Sequence, residues 1–167
     1  RCLRHNREFA PRRIGHLRWR VRLPLLTPKA QLVMSDPDEF LRSHAKLLKQ
    51  IEKKFGVPGE IVLAIWGRET GYGRAKITAS EMDVLATMAF MGDRKELFMK
   101  ELVAALQMVE QGIDPKRMKG SWAGAMGQPQ FMPSSYLKYA VDFDGDGDKD
   151  IWNSVPDALG SIANYLV

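Results

Sequence analysis

Two stretches of this 167-residue chain hold residue types that do chemistry. The first is IWGRETGYGR, residues 65–74, where Glu69 closes an apolar run from Ile61 to Trp66. Spacing of three and four predicts a helix over 58–70, with Val62, Ile65, Trp66 and Glu69 on one face. A carboxylate on that inward stripe loses hydration, which raises its pKa. A glutamate poised near neutrality donates a proton and later takes one back. Gly71 and Gly73 let the chain leave the helix sharply and let a ligand approach the backbone. The same spacing also suits a Glu69 paired with Arg68 or Arg74, or lying at a fraying helix end, so periodicity alone leaves catalysis open.

The second stretch is DFDGDGDKD, residues 142–150. Asp142, Asp144 and Asp146 fall at positions 1, 3 and 5 of a calcium loop, with Gly147 at the turn in position 6. Asp148, at position 7, would offer its backbone carbonyl. Asn153 stands at position 12, where a bidentate Glu is expected, so the pattern is incomplete. Five like charges in nine residues repel one another unless a cation sits among them. Further on, Ser154-Val-Pro-Asp157 has the spacing of a capping box.

The elements that must position these groups read as helices. Ser35-Asp36-Pro37 is a start signal, and Leu41, Ala45, Leu48, Ile51 and Phe55 then recur at helical spacing up to Gly56. Val57-Pro58 opens the helix of Glu69. Ser80 caps a third, with Met82, Leu85, Met88 and Ala89. A fourth carries Phe98, Leu102, Ala105, Leu106 and Val109 on one face and stops at Gly112. Residues 120–133, GSWAGAMGQPQFMP, are rich in small residues and have no clear period. Short helices are expected at 134–140 and 154–167, the last without a stop signal, as in a chain cut short. No long apolar/polar alternation occurs, so the fold class is all-α.

The whole-chain charge of +5 is unevenly placed. Residues 1–31 hold eight Arg and one Lys against Glu8, whereas residues 32–167 are acidic in balance. The domain plan is therefore a basic N-terminal arm over 1–34 and one domain over 35–167. The arm has no aromatic interleaving or nucleic-acid motif, so no nucleic-acid partner is expected. Cys2 is the one cysteine and excludes an internal disulfide. No apolar run is long enough to span a bilayer, and no leader is visible.

Taken together, VPGEIVLAIWGRETGYG, GSWAGAMGQPQFMPSSYLKYAVDFDGDGDKDIW and VPDALGSIANYLV resemble the lytic murein transglycosylase B family over roughly residues 37–167. The resemblance implies a lysozyme-like catalytic domain. It implies cleavage of the β-1,4 bond between N-acetylmuramic acid and N-acetylglucosamine in peptidoglycan. Glu69 stands at the position of the family's single glutamate, acid first and base second, which yields a 1,6-anhydro sugar. Near Glu69 the other acids are unconvincing partners: Glu60 lies at the far end of the helix, and Glu81 suits a first-turn macrodipole role. The resemblance further implies that Ser121, Met126, Gln130, Phe131 and Tyr165 contact sugar. Trp122 reads as core, and Gln128 as bordering the groove. It implies a structural Ca²⁺ on Asp142, Asp144, Asp146, Asp148 and Asp157, with Asp157 closing a longer EF-hand-like loop, and no cofactor for catalysis. The partners implied are glycan strands and the machinery of wall synthesis or division, for a monomer in the periplasm. The alternatives are a hydrolytic muramidase and an inactive glycan-binding module; a calcium sensor is disfavoured by the single imperfect loop.

Overall fold

The computed structural model of the protein describes residues 37–167. The basic arm, Cys2 and the Ser35-Asp36 start signal lie outside the described residues. Seven helices follow in order: α1 (Pro37–Ser43), α2 (Ala45–Phe55), α3 (Gly59–Thr70), α4 (Glu81–Met91), α5 (Lys95–Glu110), α6 (Pro133–Tyr139) and α7 (Val155–Tyr165). Two short strands, β1 (Ala79–Ser80) and β2 (Lys119–Gly120), pair antiparallel with Ala79 opposite Gly120. Bridges from Gly120 to Met126 and from Met126 to Phe131 extend this ribbon into the small-residue segment. The sequence carries no alternation there because the pairing is too short to need one.

The helix expected to run unbroken to Phe55 is interrupted at His44. Its ring nitrogen Nδ1 lies 3.0 Å from the Phe40 carbonyl, which already accepts the His44 N–H. A side chain competing for a helical carbonyl weakens the turn at that point. Gly56 then ends α2 in the left-handed conformation, as its position implies.

Two apolar clusters form the core. One joins α2, α3 and α7 through Leu48, Ile51, Val62, Trp66, Leu159 and Ile162. The other joins α4, α5 and the 118–151 segment through Leu85, Phe98, Met108, Met118, Met126 and Ile151. Each such buried side chain contributes about 2 kcal/mol relative to an exposed one. On α5 the buried face is Phe98, Ala104, Ala105 and Met108, while Leu106 is exposed, contrary to the stripe expected from spacing. Helix α6 packs on both α5 and α7. The groove described next lies where residues of both clusters meet.

Candidate active site

Helix α3 delivers Glu69 to the groove and is fixed by its own aromatic residue. Trp66 is buried, with Phe40 and Tyr72 edge-on to its ring at 6.0 and 5.6 Å. Its indole Nε1 donates to Gln128 Oε1 at 2.8 Å. Thr70 Oγ1 donates to the Gln128 carbonyl at 3.2 Å and accepts from Gly73 N–H at 3.1 Å. Gln128 Nε2 in turn donates to the Trp152 carbonyl. Gln128 is thus a buried brace between α3 and the loop, where the sequence reading set it at the groove's edge. Gly71, at φ 58°, ends α3 in the left-handed region, so the chain turns away directly after Glu69 and Thr70.

Glu69 opens into a groove of about 290 Å³. Ile65 from α3, Gln130 and Phe131 from the loop, and Ile162 and Tyr165 from α7 form its walls. Glu69 is the one acid among the described residues that line it. The inward burial expected for Glu69 is absent: it is exposed at the rim, while Val62 and Trp66 take the buried positions of the stripe. A residue at the last turn of a helix overhangs the core's edge, so its face no longer determines its burial.

The other expected sugar contacts divide. Gln130 lines the groove at φ 55°, its Nε2 donating to the carbonyls of Gly127 at 3.0 Å and Ala125 at 3.3 Å. Phe131 and Tyr165 line it with ring centres 5.5 Å apart. Ser121 is half-buried beside the loop, and its Oγ accepts from Ala125 N–H. Met126 is 0 % exposed and belongs to the core, held there by its bridges to Gly120 and Phe131, so it offers the open groove no surface. Trp122, expected in the core, is 81 % exposed. Sequence reasoning missed Ile65, Met132, Ser135, Ile162 and Leu166 as lining residues. The spacing of the four apolar ones is indistinguishable from that of a core stripe, and Ser135 reads as an ordinary polar residue of a short helix.

Glu81 stands in the first turn of α4, as the sequence implies, and it is also buried. Glu81 is 0 % exposed, and neither side-chain oxygen has a hydrogen-bond partner. Burial, then the nearby charge of Glu101, pushes its carboxyl up to about 7. It does not line the groove. The signal available in the sequence was its place between Ser80 and Met82 in an apolar segment, which favours burial as readily as the macrodipole does.

The aspartate loop folds around α7. Oxygens of Asp142, Asp144 and Asp157 lie within 4.8 Å of one another. Asp157 is fully buried; its Oδ1 accepts from Phe143 N–H at 2.8 Å and its Oδ2 from Asp150 N–H at 2.8 Å. Burial pushes the Asp157 carboxyl up, with Asp144 adding to the effect. Ser154 Oγ also accepts from Asp157 N–H, so the capping role coexists with the cluster. The carboxylates of Asp146 and Asp148 lie outside this group. Asp148 pairs with Arg117 at 2.5 Å, and Asp146 accepts from Asp148 N–H. Three hard oxygens converging on one point, one of them desolvated, fit a calcium-like cation.

Known proteins resemble this chain in sequence and in fold. The model of the transglycosylase SLT domain family matches residues 30–167. The Escherichia coli (strain K12) protein named membrane-bound lytic murein transglycosylase B is 46% identical over 129 residues, covering 76% of this chain and 36% of its own length. SltB3 of Pseudomonas aeruginosa, solved in complex with NAG-NAM-pentapeptide, superposes with a TM-score of 0.76 at 44% identity, over 81% of this chain and 37% of that one. The same protein has also been solved with NAG-anhNAM-pentapeptide. The Escherichia coli lytic transglycosylase Slt35 in complex with calcium gives 0.72 at 42% identity, over 84% of this chain and 44% of that one. The chain thus spans less than half the length of each of these relatives. With a family model covering most of its length, a groove built around Glu69 and an acidic cluster beside α7, the chain belongs to the transglycosylase SLT domain family.

Proposed function

We propose that this chain is the catalytic part of a peptidoglycan lytic transglycosylase. The observation that carries the reading is a groove whose described lining holds one carboxylate, Glu69. Hydrolytic glycosidases use two carboxylates flanking the scissile bond, about 5–5.5 Å apart when retaining and about 6.5–9.5 Å when inverting. One carboxylate suits attack by the substrate's own hydroxyl. Glu69 protonates the glycosidic oxygen as its bond to C1 of the muramic acid breaks, and the N-acetyl oxygen supports the cationic C1. The Glu69 carboxylate then takes the proton of the C6 hydroxyl as that oxygen bonds to C1. Glu69 ends protonated, no water is consumed, and the product is a 1,6-anhydro sugar.

The walls serve that chemistry. Ile65, Phe131, Ile162 and Tyr165 present apolar faces to sugar rings. A sugar filling the groove strips water from Glu69 at the moment of reaction. Gln130 and Ser121 supply polar groups at the loop, and Met126 supports them from the core. Asp142, Asp144 and Asp157 are the residues that would hold Ca²⁺, with Asp148 contributing its carbonyl; the ion neutralises the acidic ladder and ties it to α7. Asp146 takes an outer place in that loop. The substrate places the protein in the cell envelope, acting on glycan strands as a monomer.

The test is Glu69→Gln. It removes the transferable proton while keeping shape, and general acid–base groups contribute about 10²–10⁴-fold. The expected result is loss of soluble muropeptide release by at least that factor with an unchanged melting temperature. A variant that still releases muropeptides at the parent rate overturns the assignment.

A further inference from the structure

Glu81 opens α4 immediately after β1, and its N–H donates to the Met118 carbonyl at 3.0 Å. That bond directs its side chain beneath the ribbon and the loop that follows β2. There it meets two glycines. A Cβ on Gly120 would collide with Glu81 Oε2 and lie 2.8 Å from the Ala125 carbonyl. A Cβ on Gly124 would lie 3.0 Å from Leu85 and 3.5 Å from Glu81 Oε1. The carboxyl therefore fills the space these glycines leave, directly under the segment that holds Ser121 and leads to Gln130.

No cation faces it. Glu101 on α5 is the charge that acts on it, and it is an acid. Glu101 itself caps α6, its two oxygens accepting from Ser134 N–H and Oγ at 2.9 and 2.8 Å. Residues 120–132 contain no charged side chain. Lys119 on β2, Asp83 on α4 and Lys138 on α6 make no hydrogen bond to Glu81. An ionised carboxylate in such a place costs far more than a neutral one. It regains water only by lifting the loop or leaving it.

We propose that Glu81 is a positioning residue: as the neutral acid it packs under Gly120 and Gly124 and holds the loop 120–131 in its sugar-binding form, and on ionisation it releases that loop. The claim rests on the transglycosylase reading only for its effect on activity; the loop's behaviour is independent of substrate. A purely space-filling role predicts no dependence on pH.

The experiment compares the full chain with Glu81→Gln at pH 6 and pH 8. Hydrogen exchange of peptides within 119–132, corrected for intrinsic rates, reads the loop, and peptidoglycan release reads KM and kcat. A group titrating near 7 is about one part in ten neutral at pH 8, and only that fraction is competent. The expected result is about a tenfold rise in loop exchange and in KM for the parent. In Glu81→Gln both should change less than about twofold. The change in kcat between the two pH values should be alike in the two proteins. Equal pH dependence of loop exchange in both overturns the proposal. If the variant does not fold, a ¹³C-carboxyl titration of the parent decides: a Glu81 signal titrating with the exposed glutamates overturns it, and one titrating near neutrality together with loop resonances supports it. A parent that releases nothing from peptidoglycan would count against the transglycosylase reading, while the exchange result would still decide the loop claim.

Discussion

Trp66 and Gln128 are joined by a buried hydrogen bond of 2.8 Å, 62 residues apart in sequence, and that bond sets the groove. It fixes the helix carrying Glu69 against the loop carrying Gln130. Gln128→Ala leaves the indole N–H buried without a partner and removes the bond to the Trp152 carbonyl. The expected cost is about 1–3 kcal/mol for each orphaned group. Thermal unfolding should show a lower melting temperature, and activity should fall further than stability alone explains, because Glu69 and Gln130 lose their common brace.

The two tryptophans Trp66 and Trp122 make a paired prediction. Trp66→Ala opens a cavity in the α2–α3–α7 cluster and should cost about 3–5 kcal/mol. Trp122→Ala, at a side chain 81 % exposed, should change stability by less than about 0.5 kcal/mol. Chemical denaturation of both variants checks the assignment.

This pair also marks how far the sequence could be read. Helices α2 to α5 were visible because apolar spacing, Ser80 and Gly56 all agree there. The 120–133 segment has no period, so which of its side chains face inward was not legible: Met126 and Gln128 went inward, and Trp122 outward. Their placement follows from ribbon bridges and from one long-range hydrogen bond, neither of which has a local signature. Glu69 was found through its motif, yet its exposure was misjudged, since a helical stripe does not reveal where the neighbouring helix ends. Glu81 shows the converse: a first-turn acid suited the macrodipole, and only the fold reveals that the ribbon covers it.

Stability should depend on pH through Glu81. Its folded pKa, near 7, lies above the ordinary 4.5, so the folded protein holds the proton more tightly. That contribution is complete below about pH 4.5 and is lost as pH rises through 7, by about 3 kcal/mol in all. Melting temperature should therefore fall from pH 5 to pH 8 more steeply in the parent than in Glu81→Gln. Parallel curves would remove Glu81 from the account.

Calcium should stabilise the fold through Asp142, Asp144 and Asp157. An ion at about 100 times its dissociation constant adds about 2.7 kcal/mol. Chelation should lower the melting temperature of the parent and restoring calcium should recover it. In Asp144→Asn, which removes an exposed carboxylate and keeps the side-chain shape, the calcium shift should largely vanish.

In the proposed reaction one carboxylate, Glu69, runs both proton transfers with the sugar's own hydroxyl as nucleophile. Its most direct test is digestion of purified peptidoglycan in ¹⁸O-labelled water, with mass spectrometry of the released muropeptides. The expected products are 1,6-anhydro sugars with no label at C1 of the muramic acid, and none from Glu69→Gln. Products one water heavier, with ¹⁸O at that carbon, would contradict it and require a second carboxylate outside the described groove.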